Sequence, residues 1–241
     1  MKRIVCETYE EMSSVAAFTI ALQVQTKPDS VIGFATGSTP VGTYQRLAKM
    51  HADGFVDFSR VTSFNLDEYY PIKRVNPQSY YYFMKENLFD HINIPADKIN
   101  IPNGESANAE KECADYDAKL AGFGGTDLQI LGIGNNGHIA FVEPAEQLPL
   151  GTSVVNLTQD TIEANSRFFD TADEVPKQAL SMGLGCIFNS KHILLLISGK
   201  NKAEIAKKLF SDKTLSTQIP AGLLKLHPNV TVILDKDAAE S

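Results

Sequence analysis

Two stretches carry residue types that could move protons. In RVTSFNLDEYY, Asp67 and Glu68 end the strand-like run VTSFNL. A carboxylate at such a point can remove a proton α to a carbonyl or imine, provided burial raises its pKa and a neighbour stabilises the enol that forms. The alternative reading makes Asp67 a cap for the next segment and turns Glu68 to solvent. In GIGNNGHIAFVEP, Gly132, Gly134 and Gly137 let the backbone approach a ligand closely, and His138 follows them directly. An imidazole there can shuttle protons near neutral pH, and Glu143 can orient the ring and favour its charged form if the chain folds back. The same glycines match GxGxxG, but no crossover helix, second strand and acidic ribose partner follow at roughly 20 residues; Glu143-Pro144 and a polar loop come instead, which argues against a nicotinamide site.

A third stretch suits an anion. In SVIGFATGSTPVGTYQRL, Thr36-Gly37-Ser38-Thr39 lie where a buried strand gives way to a helix starting at Pro40. Gly37 permits a tight turn, Ser38 or Thr39 can cap the helix, and free N–H groups and hydroxyls could hold a phosphate. A well-capped turn with no ligand is the competing reading. Two cations could complete the cradle. Lys202 in SGKNKAEIA follows the strand HILLLIS at the sheet edge where ligands gather, and Arg167 in EANSRFF depends on its segment folding inward. Lys200 reads as a spare surface charge.

These residues need a scaffold that gathers loop ends. Apolar runs KRIVCE, SVIGFATG, RVTSFNLDEYY, TDLQILGIG, HILLLIS and NVTVILD alternate with helix-period segments such as VGTYQRLAKMHADG and NKAEIAKKLFSD. Continuous strands such as ILLLI imply burial on both faces. The expected fold class is therefore α/β: a single three-layer, Rossmann-like domain over residues 1–241, with a mainly parallel sheet flanked by helices. The irregular stretch from about Glu146 to Pro176 reads as a flap over a site or as a plain surface insertion.

Composition removes other classes. A formal charge of −7 disfavours nucleic acid, while local cations can still bind a small anion. No apolar run reaches the roughly 20 residues of a spanning helix, and the acidic start offers no signal-peptide core, so no membrane role and a cytoplasmic location are expected. Cys6, Cys113 and Cys186 lack CxxC spacing and read as buried thiols. His51, His91, His192 and His227 stand in unrelated contexts, so no metal is expected.

Taken in order, TGSTP, NLDEYY, GIGNNGHIAFVEP, EANSRFF and SGKNKA resemble the glucosamine-6-phosphate deaminase family over nearly the whole chain. The resemblance implies deamination and isomerisation of glucosamine 6-phosphate to fructose 6-phosphate and ammonia, with no cofactor. It implies that Asp67 moves the proton between C2 and C1, that His138 assists ring opening with Glu143 in support, and that Thr36, Gly37, Ser38, Arg167 and Lys202 hold the phosphate. The sequence departs from the family pattern at Asn136, where some members carry Asp, and at Val142, where Asn is usual. Asn136 can still orient His138 through its amide oxygen, whereas Val142 removes a hydrogen-bonding group expected near the sugar. The alternatives are a galactosamine-6-phosphate deaminase, a 6-phosphogluconolactonase-type hydrolase sharing fold and phosphate loop, and a non-catalytic sugar-phosphate sensor, which the absence of a preceding DNA-binding module ranks last. SVVNL lacks the basic residues of the allosteric site of larger relatives, so no activation by N-acetylglucosamine 6-phosphate is expected. Monomer and homo-oligomer are both left open.

Overall fold

The protein is described here by a computed structural model covering residues 1–158, 175–211 and 213–240. Its strands are β1 (Lys2–Cys6), β2 (Val31–Phe34), β3 (Thr62–Asn65), β4 (Asp67–Tyr70), β5 (Ile99–Asn100), β6 (Leu128–Leu131), β7 (Ser153–Asn156), β8 (Gln178–Ser181), β9 (Ile193–Ile197) and β10 (Val230–Asp235). Its α-helices are α1 (Tyr9–Thr26), α2 (Val41–Ala52), α3 (Tyr80–Asn87), α4 (Ala109–Gly122), α5 (Leu184–Phe188), α6 (Ala203–Ser211) and α7 (Lys236–Ala239).

Seven strands form a parallel sheet in the order β1-β10-β9-β6-β2-β3-β5, flanked by helices as expected. The unbroken apolar runs mark its centre: every residue of β9, β6 and β10 is buried. A strand covered on both faces has no solvent side, so its sequence does not alternate. Helix α1 buries Met12, Ala16 and Ile20 with Ser13, Ala17 and Ala21, the adjoining i, i+4 rows of a helix face, and Thr8 caps its start by accepting the Glu11 N–H at 3.1 Å.

RVTSFNLDEYY is not one strand. The chain changes sheets at Leu66, whose N–H donates to Phe34 at 3.1 Å while its carbonyl accepts from Met182 at 2.8 Å. Asp67 therefore opens β4 instead of ending the run before it. Strand β4 belongs to a second, antiparallel sheet in the order β4-β8-β7. The sequence offers no signal for this sheet, because its strands are four residues long and β7 is only partly covered.

The stretch read as a flap or a surface insertion is described only in part. Residues Ser153–Asn156 are β7, and just before them the Pro149 and Leu150 carbonyls accept the Leu184 and Gly185 N–H groups at 2.8 and 2.9 Å. This part is docked into the fold. Residues 159–174, with Arg167, lie outside the described residues. The cysteine reading also needs one change: Cys6 and Cys113 are buried, but Cys186 is half-buried and donates to Asp117 Oδ1 at 3.1 Å. Among the described residues no helix is long and apolar enough to cross a membrane.

Candidate active site

From β2 the chain winds outward through β3 to β5, then returns to β6 on the other side of β2 and winds the opposite way. The loops after β2 and β6 therefore leave the carboxyl edge at the reversal, where α/β sheets open a crevice. Thr36–Thr39 and Gly132–His138 are those loops, the turn after β9 carries Lys202, and Asp67 stands just beyond β3.

Asp67 is 6% exposed, and burial, with the charge of Glu68 added, pushes its carboxyl up to about 8; no donor among the described residues offsets them. The neighbouring hydroxyls supply no charge. Burial, with Asp67 as a smaller cause, raises Tyr69 to about 12 and lifts Tyr44, Tyr80 and Tyr116 above the ordinary phenol range.

Glu68 points the other way along the strand and does not face solvent. It is 2% exposed; Oε1 accepts the Tyr69 and Tyr80 N–H groups at 2.9 and 2.8 Å, and Oε2 accepts that of Tyr81 at 2.9 Å. It thus fastens β4 to the first turn of α3, whose free N–H groups suit a carboxylate. Burial raises its carboxyl to about 7 against those hydrogen bonds and the pull of Arg74.

The loop after β6 folds back as a turn, with the Gly134 N–H donating to the His138 carbonyl at 2.9 Å. The imidazole lies over Gly134, where a Cβ would stand 2.2 Å from the ring. No helix follows, which removes the dinucleotide reading. His138 Nδ1 faces two oxygens, Asn136 Oδ1 at 2.8 Å and Glu143 Oε1 at 3.2 Å, and the Asn136 amide donates to Glu143 Oε2 at 2.7 Å. Two acceptors on one side require the proton on Nδ1, leaving Nε2, which has no partner among the described residues, open to a substrate. Burial pushes the Glu143 carboxyl up, but the hydrogen bond and charge of His138 and the Asn136 amide outweigh it and hold the group below its usual range.

One residue links the two constellations. Ser181, 1% exposed, pairs with Asp67 across β8 and β4, and its Oγ accepts the Phe141 N–H at 3.1 Å.

At the β2 loop, Gly37 has φ of 100° and Ser38 is exposed. Helix α2 begins at Val41 with Pro40 at its cap position, and no side chain caps it, so neither Ser38 nor Thr39 plays that part. Tyr44 braces the strand end, its hydroxyl accepting from the Ala35 N–H at 3.2 Å and donating to the Ala35 carbonyl. Lys202 is half-buried, burial holds its ammonium below the usual range, and no ion pair reaches it among the described residues. Its turn is fixed by Asp235, whose carboxylate accepts the Gly199 N–H at 3.1 and 3.0 Å and caps α7 through Ala238. Lys200 is exposed.

The family model described as glucosamine-6-phosphate isomerases/6-phosphogluconolactonase matches residues 7–233. The chain belongs to that family. It is 54% identical to a glucosamine-6-phosphate deaminase of Halothermothrix orenii, covering 99% of both chains, and 50% identical to one of Clostridium perfringens, covering 100% of this chain and 99% of that one. A solved monomeric glucosamine-6-phosphate deaminase superposes with a TM-score of 0.94 at 45% identity over 99% of each chain. The 6-phosphogluconolactonase of Trypanosoma brucei reaches a TM-score of 0.81 at 21% identity over 99% and 97%, a likeness of fold.

Among the family's motif positions, Val142 lies in the core. It is 1% exposed and packs in the main core, while its N–H closes a tight turn onto Ile139 at 3.0 Å. Its side chain faces the interior. The family's motifs also miss Glu68 as a clamp, Ser181 and Asp235: each acts through backbone groups distant in sequence, and no local spacing announces it.

Proposed function

We propose that this chain converts glucosamine 6-phosphate to fructose 6-phosphate and ammonia, with Asp67 as the base that carries a proton from C2 to C1. The observation that carries this reading is the buried Asp67 carboxyl, raised to about 8 and standing just beyond β3 at the sheet edge whose loops also carry His138. A carboxyl so placed takes a proton readily once ionised, and one group can serve two adjacent carbons if the sugar is held.

The sequence of steps follows. His138, with its Nδ1–H tied to Asn136 and Glu143, presents Nε2 to the anomeric hydroxyl, takes its proton and returns it to the ring oxygen as the C1–O bond opens. The anionic Glu143 stabilises the imidazolium formed on the way. Asp67 then removes the C2 proton as O1 takes up a proton, giving an enolamine, and delivers that C2 proton to C1 as the nitrogen gives up one of its own, leaving a hydroxyl on C1 and an imine at C2. Water adds to that carbon, the C2–N bond breaks, and ammonia leaves. Thr36, Gly37, Ser38, Lys202 and Arg167 hold the phosphate away from the reacting carbons, so that binding energy serves positioning.

Ammonia release from glucosamine 6-phosphate and galactosamine 6-phosphate, assayed side by side, tests the reading. Faster release from the gluco epimer is expected. Preference for the galacto epimer would reassign the substrate, and no release from either would reject the reaction.

A further inference from the structure

The start of α1 reaches into the phosphate loop through one hydroxyl. Tyr9 Oη donates to the Ser38 and Thr39 carbonyls, both at 3.1 Å, and accepts the Gly42 N–H at 2.8 Å. The contact is tight on both sides: a Cβ on Gly42 would stand 2.9 Å from Tyr9 Cε1 and 2.5 Å from Ser13 Oγ. Tyr9 itself is set by the Thr8 cap, which makes it the first residue of α1.

This bonding fixes which way the loop's peptides face. A trans peptide directs its C=O and N–H oppositely. With the Ser38 carbonyl turned toward α1, the Thr39 N–H turns away from it, and Pro40 has no N–H to offer. The Gly42 N–H, which a helix start would otherwise leave free for an anion, is already taken by Tyr9. The cradle's donors are thereby selected: Thr39 N–H is aimed outward and Gly42 N–H is withdrawn.

We propose that Tyr9 is a positioning residue for the phosphate cradle, holding the Ser38 and Thr39 carbonyls back so that the Thr39 N–H joins Gly37 and Ser38 in receiving the sugar phosphate. The inference rests on the proposed function only in taking this loop as the phosphate site. Because the phosphate is held alike before and during reaction, loss of the Tyr9 hydroxyl weakens binding without slowing the chemical step.

The test is Tyr9→Phe, which keeps the ring in place, measured in the intact enzyme. KM for the amino-sugar phosphate and the inhibition constants of inorganic phosphate and fructose 6-phosphate should each rise about five- to tenfold, as for loss of one to two hydrogen bonds. The expected kcat stays within about twofold and the melting temperature within a few degrees. Unchanged phosphate inhibition, or a fall in kcat alone, overturns the proposal. Lys202→Ala is measured beside it. If Lys202→Ala weakens phosphate inhibition while Tyr9→Phe does not, Tyr9 alone loses its role; if neither does, the cradle reading fails and Tyr9 with it.

Discussion

The parallel sheet carries a buried aspartate near each edge, and the two are treated in opposite ways. Asp127, just before β6 at the amino edge, has a side chain 4% exposed and is surrounded by donors: Lys27 at 2.6 Å, Lys191 at 2.7 Å and the Val31 N–H at 2.8 Å. Burial pushes its carboxyl up, but these partners outweigh it and hold the group below its usual range. Asp67, at the carboxyl edge, is as well buried, receives no such help among the described residues and sits at about 8. The same side chain is thus a strut where its charge is neutralised, and it is the proposed base where no donor among the described residues meets it. Keeping this carboxyl buried costs stability as pH rises above the ordinary carboxylate range, and the fold retains it at the edge where the loops converge.

The largest effect that would sharpen this contrast is Asp67→Asn. Turnover should fall by roughly 10²–10⁴-fold or more, while the protein becomes more stable. The sign follows from the proton balance. Between the unfolded value near 4 and the folded value of about 8, the unfolded chain is ionised while the native carboxyl keeps its proton. Wild-type stability therefore falls across that window as pH rises, and Asn escapes the penalty. Melting curves at pH 5 and pH 8 should show the variant's advantage growing; a shrinking advantage would contradict the account.

Lys202→Ala comes next, with KM raised about 10- to 100-fold and kcat nearly kept, since a half-buried ammonium with no counter-ion among the described residues can receive an anion. A loss confined to kcat would remove it from the phosphate site. Asp127→Asn should do the reverse of Asp67→Asn: activity stays, and stability at neutral pH drops by about 1–3 kcal/mol. Asp127 has a depressed carboxyl, so its contribution is present above the ordinary carboxylate range and fades as pH falls through the folded value. A deficit that persists undiminished at the acid end would break the comparison.

The smallest expected change is in Glu68→Gln. Removing the charge beside Asp67 should move the acid limb of the kcat/KM profile, set near 8 in the parent, to lower pH by less than about one unit. Glu68 also clamps α3, so kcat should fall modestly as well. An acid limb that stays in place would separate the clamp from the tuning.

How much of this could be read in the sequence differs between the two sheets. ILLLI, LQIL and VTVILD declared themselves as central strands because burial on both faces leaves an unbroken apolar run. From those strands the carboxyl edge follows, and with it the gathering of TGSTP, the His138 loop and Lys202. The small antiparallel sheet left no such trace: SVVN and QALS are short, mixed in polarity and paired across long separations. Asp67 was legible as a carboxylate next to a strand, but its place at the start of a second sheet arises from the change of sheet at Leu66. Tyr9, Ser181 and Asp235 work by holding backbone groups dozens of residues away, and sequence spacing does not encode such contacts.

The most direct test of Asp67 as the C2/C1 base is solvent-hydrogen exchange at C2 of bound glucosamine 6-phosphate in Asp67→Asn, followed in deuterated water. The account predicts that exchange disappears together with turnover while phosphate-dependent binding persists. Exchange at a near-normal rate in that variant would show that another group takes the proton.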